Sequence, residues 1–151
     1  MKHDLYSNDV LRLAAQMPRV GRLGAPATSS RKVSRLCGSE IEVDLMVQDG
    51  RVVDMAQRVK ACALGQASAA ILGKHVVGAT QDELLNARNA LRAMLKSSAP
   101  APRGRFAELA VLASAKAYPA RHQSIMLPFE AAVAAFEATA TTTGLTTPLT
   151  R

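Results

Sequence analysis

Tryptophan is absent from this chain, and two tyrosines and three phenylalanines are its only aromatic residues. That excludes a thick aromatic core and leaves nothing to interleave with basic residues for base stacking. The apolar share is 48%, much of it alanine, so close helix packing through small side chains is expected instead. No apolar run reaches the roughly 20 residues that cross a bilayer, and the opening MKHDLYSND lacks the apolar centre of a secretory signal. The protein is therefore expected in the cytoplasm, with no membrane partner. Cysteine is scarce too. The two present cannot make a disulfide framework, and in a reducing compartment they are expected as thiols, reactive or metal-binding.

What is abundant is positive charge. The formal net charge is +7, which attracts acidic partners and aids solubility. Lysine and arginine run from Lys2 to Arg151 without a dense cluster, so a solvated basic surface is expected and a nucleic-acid partner is not. A length of 151 residues holds one domain with a real core and is short for two. Residues 1–140 are expected to form that domain. The closing TTTGLTTPLTR, residues 141–151, has no core-forming pattern and is expected as a disordered tail.

Along the chain, Ser7 caps an expected first helix, with Asp9 near its positive end and Val10, Leu11, Ala14 and Met17 as an apolar stripe before Pro18. The following GRLGAPATSSRK is rich in Gly, Pro and Ser and reads as an irregular, mobile arm. EIEVDLMVQDGRVVDMAQRV then alternates with period two and reads as two strands joined at Asp49-Gly50, a strong hairpin signal. The face of Ile41, Val43, Leu45 and Val47 needs a cover, and only helices follow to supply one. CALGQASAAILGKH predicts a small-residue helix lying close to the sheet, with Gly73 at its end. TQDELLNARNALRAMLK predicts the cleanest helix: Thr80 and Glu83 form a capping box, and Leu84, Ala87, Leu91, Met94 and Leu95 share a face. After the linker SSAPAPRG, a short helix is expected in RFAELAVLASAKAY and a longer one in LPFEAAVAAFEATA, with Pro128 in its first turn.

The two cysteines stand at the mouths of this hairpin. Cys37, in SRLCGSEIEVDL, precedes the first strand, and Cys62 follows the second and opens the small-residue helix. Antiparallel strands return the chain to its starting end, so the two thiols are expected to be neighbours. At a helix start the dipole and free N–H groups favour a thiolate. Two thiolates make an incomplete site for zinc or iron, because a closed tetrahedral site takes four ligands. His122, in YPARHQSIML, is the one histidine in an expected loop, since His3 is terminal and His75 follows a helix end. Beside this stands the plainer reading of the cysteines as small buried apolar residues.

At this point the sequence resembles a known family. SRLCGSEIEVDLMVQDGRVVDMAQRVKACALGQASAAIL is similar to the centre of the iron–sulfur cluster assembly scaffolds of the IscU/SufU type, also found as the N-terminal domain of NifU. There a Cys-Gly-Asp segment precedes a hairpin and a second cysteine opens a helix rich in Ala and Ser. LYSNDVLRLAAQMPRVGRL is similar to the family's opening helix, and GRFAELAVLASAKAYPARHQSIMLPFEAA to the SufU-type Tyr-Pro-Ala-Arg-x-x-Cys-x-x-Leu segment, so the resemblance runs over roughly residues 5–138 with the blocks in order.

The resemblance implies an α+β fold of the SufE/NifU-like kind, a small antiparallel sheet against a layer of helices, in which three cysteines and an aspartate hold a nascent cluster or a zinc ion. Cys37 and Cys62 match the first two cysteines. Ser39 falls at the aspartate, and Ser124 at the third cysteine when YPAR and Leu127 anchor the register. A one-residue slip instead matches His122 to a family histidine and puts Gln123 at the cysteine. Either way the third thiol is missing, and a serine neither forms a persulfide nor binds soft metals well. His122 is then the substitute ligand.

The function so implied is non-enzymatic: a scaffold-like protein that binds iron or a nascent iron–sulfur cluster through Cys37 and Cys62, with His122, Ser39 and Ser124 as further candidate ligands, and passes it on. Cysteine desulfurase and acceptor apoproteins are the implied partners, zinc the alternative metal, and a homodimer a way to supply four thiolates. Two other readings stay open: a regulatory or interaction module of the desulfurase system without cluster chemistry, and a zinc-dependent sulfur acceptor of SufU type.

Overall fold

Ser7 begins the first helix as its pattern requires. In the computed structural model, which describes residues 6–36 and 38–146 and side chains as far as residue 139, its hydroxyl accepts the Val10 N–H at 3.2 Å and α1 runs Asn8–Ala15. Val10 and Leu13 are the buried pair, while Leu11 faces solvent at 47% exposure, so the apolar stripe is narrower than its spacing implied.

The expected irregular arm ends in a strand. β1 (Thr28–Val33) pairs antiparallel with β2 (Glu40–Gln48), from Thr28 opposite Leu45 to Val33 opposite Glu40. Its sequence TSSRKV hides this because it is an edge strand whose side chains alternate between half-buried and exposed; no apolar face marks it. The Thr28 hydroxyl donates to the Ala135 carbonyl at 2.7 Å and ties the strand to the last helix.

β2 and β3 (Arg51–Lys60) form the expected hairpin, and the sheet order is β1-β2-β3. Asp49 and Gly50 take φ of 54° and 77°, the left-handed pair that lets a two-residue turn follow the strand twist. Ile41, Val43 and Leu45 are fully buried.

The helices cover that face. In α2 (Ala63–His75) nine residues are buried, most of them small. Gly73 lies inside α2 and not at its end, because a Cβ there would sit 2.8 Å from Pro18 Cγ and 2.9 Å from Gln57 Nε2. α3 (Gln81–Ser97) starts at the expected capping box and buries the expected face of Leu84, Ala87, Leu91, Met94 and Leu95. Gly104–Ala117 is 3₁₀ and not α-helical, and is kinked at Phe106, whose backbone leaves the helical range (φ −107°, ψ 26°). Its buried residues, Phe106, Leu109, Leu112 and Ala115, fall at every third position, the period at which 3₁₀ side chains stack.

α4 (Pro119–Thr146) starts well before its expected boundary, so Pro128 lies in its interior and not in its first turn. The backbone continues to Thr146, six residues into the segment expected as a tail; residues 147–151 lie outside the described ones. Buried residues surround α4 between Ser124 and Phe136, where it touches α2, α3, β1 and β2. Phe129 meets Phe106 edge to face at 5.2 Å. The fold is α+β: a three-stranded antiparallel sheet with helices laid over its apolar face. Among the described residues no helix is long and apolar enough to cross a membrane.

Candidate functional site

Three segments converge where β2 begins and β3 ends, an end marked by the pairing of Glu40 with Lys60. The turn after β1 is closed by two backbone bonds of 2.8 Å, Ser34 N–H to the Ser39 carbonyl and Gly38 N–H to the Ser34 carbonyl. Gly38 stands at φ +75°, a conformation that costs glycine little and other residues more. This turn delivers Ser39 to the interior at 3% exposure. Cys37 lies outside the described residues.

Cys62 is the N-cap of α2 and makes no side-chain capping bond. The first turn of α2 carries no acidic residue, so the positive end of its dipole is not neutralised from within the helix. The third segment is the start of α4, which buries Ser124 completely. Ser39 Oγ and Ser124 Oγ are 3.0 Å apart, and Cys62 Sγ stands 3.6 Å from Ser124 Oγ. Ser39, Cys62 and Ser124, far apart in sequence, thus form one cluster with Ser124 at its centre.

Two features that sequence reasoning missed make this approach possible. A Cβ on Gly65 would land on Ser124 Oγ and come within 2.8 Å of Ala61 Cβ, so α2 needs a residue without a side chain where α4 crosses it. The signal was available as a Cys-x-x-Gly start to a small-residue helix. The second is Pro128. It has no N–H to give the Ser124 carbonyl one turn earlier, while the Ser68 hydroxyl donates to the neighbouring Ile125 carbonyl at 2.7 Å. That bond ties the turn of α4 before Pro128 to α2.

The other sequence candidates lie elsewhere. His122 is in α4 and not in a loop, 3% exposed, with Nε2 donating to the Ala115 carbonyl at 2.9 Å. Its Nδ1 is buried and has no partner among the described residues. Gln123 Oε1 accepts the Ser34 hydroxyl at 2.7 Å. The side chain facing Cys62 is that of Ser124, while that of Gln123 is turned to Ser34. His75 is occupied by Glu108, Nε2 to Oε1 at 2.8 Å.

As a ligand set the described cluster holds one thiol and two hydroxyls. Among the described residues no three His, Cys, Asp or Glu side chains are grouped as a metal site. Neutral hydroxyls engaged with each other are weak donors to iron or zinc. Cys62 alone does not match a closed four-ligand shell.

The comparisons with known proteins agree with this fold. The chain matches the family model described as the NifU-like N-terminal domain over residues 5–125. It is similar to the crystal structure of a nitrogen-fixing NifU-like protein (N-terminal) from Brucella abortus, at 44% identity and a TM-score of 0.87, covering 89% of this chain and 94% of that one. It is 25% identical over 126 residues to the iron-sulfur cluster assembly scaffold protein IscU of Thermotoga maritima, covering 83% of this chain and 88% of that protein. A putative iron-sulfur cluster assembly scaffold protein for the SUF system from Fervidobacterium islandicum AW-1 shares the fold, with a TM-score of 0.78 at 19% identity, covering 85% of this chain and 94% of that one. The chain belongs to the NifU-like N-terminal domain family.

Proposed function

We propose that this protein is an iron–sulfur cluster assembly scaffold whose own ligand set is incomplete. It holds iron or a nascent cluster through Cys37 and Cys62 and hands it to acceptor apoproteins, with sulfur supplied by a cysteine desulfurase. The observation that carries the reading is the Ser39–Ser124–Cys62 cluster: three segments remote in sequence meet at the end of the sheet where the resemblance places cluster ligands.

The substitutions decide how the cargo is held. With two cysteines in the chain, one molecule offers at most two thiolates, whereas a cluster commonly takes four. A second copy supplies the other two, and a cargo shared between chains is released when they part. His122 is no ready replacement, because its Nε2–H is committed to the Ala115 carbonyl. The cytoplasm, where thiols stay reduced, suits this chemistry. The Ser39–Ser124 bond also favours a second reading, an interaction module that keeps the fold and binds the desulfurase but carries no cluster.

Anaerobic loading with ferrous iron, cysteine and a cysteine desulfurase, followed by gel filtration with iron and sulfide analysis, separates the two. The scaffold reading predicts iron and sulfide eluting with this protein at the size of two chains. Iron-free protein eluting with the desulfurase instead supports the interaction module.

A further inference from the structure

Outside the cysteine cluster, α3 and α4 border a cavity of about 340 Å³ whose lining does not include Cys62. Ligand pockets run from roughly 300 to 1,000 Å³, so this one suits a small molecule and excludes a dinucleotide. Its chemistry is divided between the two helices. α3 contributes Arg92 and Lys96, one turn apart and so on one face. α4 contributes His122, Met126 and Glu130, again one turn apart. Leu36, 67% exposed, closes the apolar side with Met126.

The polar groups in this wall are underused. Lys96 makes no ion pair among the described residues. Arg92 Nη2 stands 3.5 Å from Glu130 Oε2 with the two side chains 47% and 34% exposed, a loose pair of small worth that leaves further guanidinium donors and the second carboxylate oxygen. The His122 ring is 3% exposed with its Nδ1 unpartnered among the described residues. With Nε2–H serving Ala115, the neutral form of the ring has Nδ1 as an acceptor. The cavity thus brings cationic donors of α3 and acceptors of α4 together, meeting at the Arg92–Glu130 pair, with Met126 and Leu36 as its apolar part.

We propose that this cavity binds a small free α-amino acid with an uncharged side chain. Its carboxylate sits on Arg92 and Lys96, its ammonium group faces Glu130 and His122, and its side chain lies against Met126 and Leu36. A simple anion fits less well, since it meets the Glu130 carboxylate and leaves Nδ1 without a donor. A simple amine meets the two cations. A molecule with both charged groups on one carbon satisfies both helices. Cys62 and Ser124 are not among the residues that line the cavity, so the proposal does not rest on metal being held there.

The test is a titration of the ¹⁵N-labelled full-length protein, followed by amide chemical shifts, with L-alanine and L-methionine against butyrate and butylamine as single-charge comparators. Saturable shifts in α3 and the start of α4 are expected for the amino acids, with comparators at least about tenfold weaker. Arg92→Ala with Lys96→Ala should abolish binding at exposed positions that leave the fold intact, and Glu130→Gln should weaken amino acids while sparing butyrate. Absence of saturable shifts, butyrate binding as well as L-alanine, or full binding by the Arg92→Ala, Lys96→Ala protein would overturn the proposal.

Discussion

Ser124 is the centre of the candidate site, because its hydroxyl stands beside both Ser39 and Cys62 and falls where the resemblance expects a thiol. Ser124→Cys restores a soft ligand at that point. Iron and acid-labile sulfide retained per chain after anaerobic desalting should rise several-fold over the parent; equal retention would show that this position is not part of the ligand shell. Gly65 is its structural counterpart. A methyl group there collides with Ser124 Oγ and the Ala61 side chain, so Gly65→Ala forces α2 and α4 apart at the site. The expected cost is about 1–3 kcal/mol, read from the urea midpoint, and a neutral or stabilising result would contradict the close packing described.

At the scale of the element, the sheet carries a buried charge that sets its acid stability. Asp44 in β2 has a side chain only 3% exposed and is bound by Arg58, 2.8 Å from Nη2 to Oδ1, by the Ser29 hydroxyl and by the Leu23 N–H. Burial alone would raise its pKa, but the hydrogen bonds from Arg58, Ser29 and Leu23 outweigh it and hold the value at about 2, against an ordinary 3.8. A carboxyl with a lowered folded-state pKa stabilises fully above its unfolded value and loses that contribution as pH falls through the folded one. Asp44→Asn should therefore cost about 3 kcal/mol at neutral pH, and its deficit against the parent should shrink between about pH 4 and pH 2. A deficit that does not change over that window would show that the carboxylate charge is not what holds the strands.

The same scale shows what could be read from sequence. The Asp49-Gly50 turn and the Thr80–Glu83 capping box announce themselves because each is set by a local backbone requirement. β1 did not, because an edge strand held by backbone bonds and by polar side chains such as Thr28 and Ser29 needs no apolar face. Pro128 misled because its usual place is a first turn, whereas here it lies within α4, one turn after the carbonyl of Ser124. Of the candidate site, Cys62 and Ser124 were singled out through the resemblance, and the fold brings their side chains to 3.6 Å. Gly65 was not, since the need for a missing side chain arises only when two helices cross. His122 looked free because the α4 start was read as a loop; the carbonyl that engages it comes from the preceding 3₁₀ segment.

For the whole molecule, each chain carries a net charge of +7, which opposes self-association at low salt. A thiolate-bound cluster shared by two chains places negative charge between them, so the loaded form is the one expected to pair. Everything in this picture depends on the cysteines. The most direct measurement is the iron, zinc and acid-labile sulfide content, with the visible absorption spectrum, of the parent protein and of a Cys37→Ala, Cys62→Ala double variant, both purified without oxygen. The account predicts iron, sulfide and visible absorption in the parent and their loss in the variant; the same metal and sulfide content in both proteins, or none in either, would contradict it.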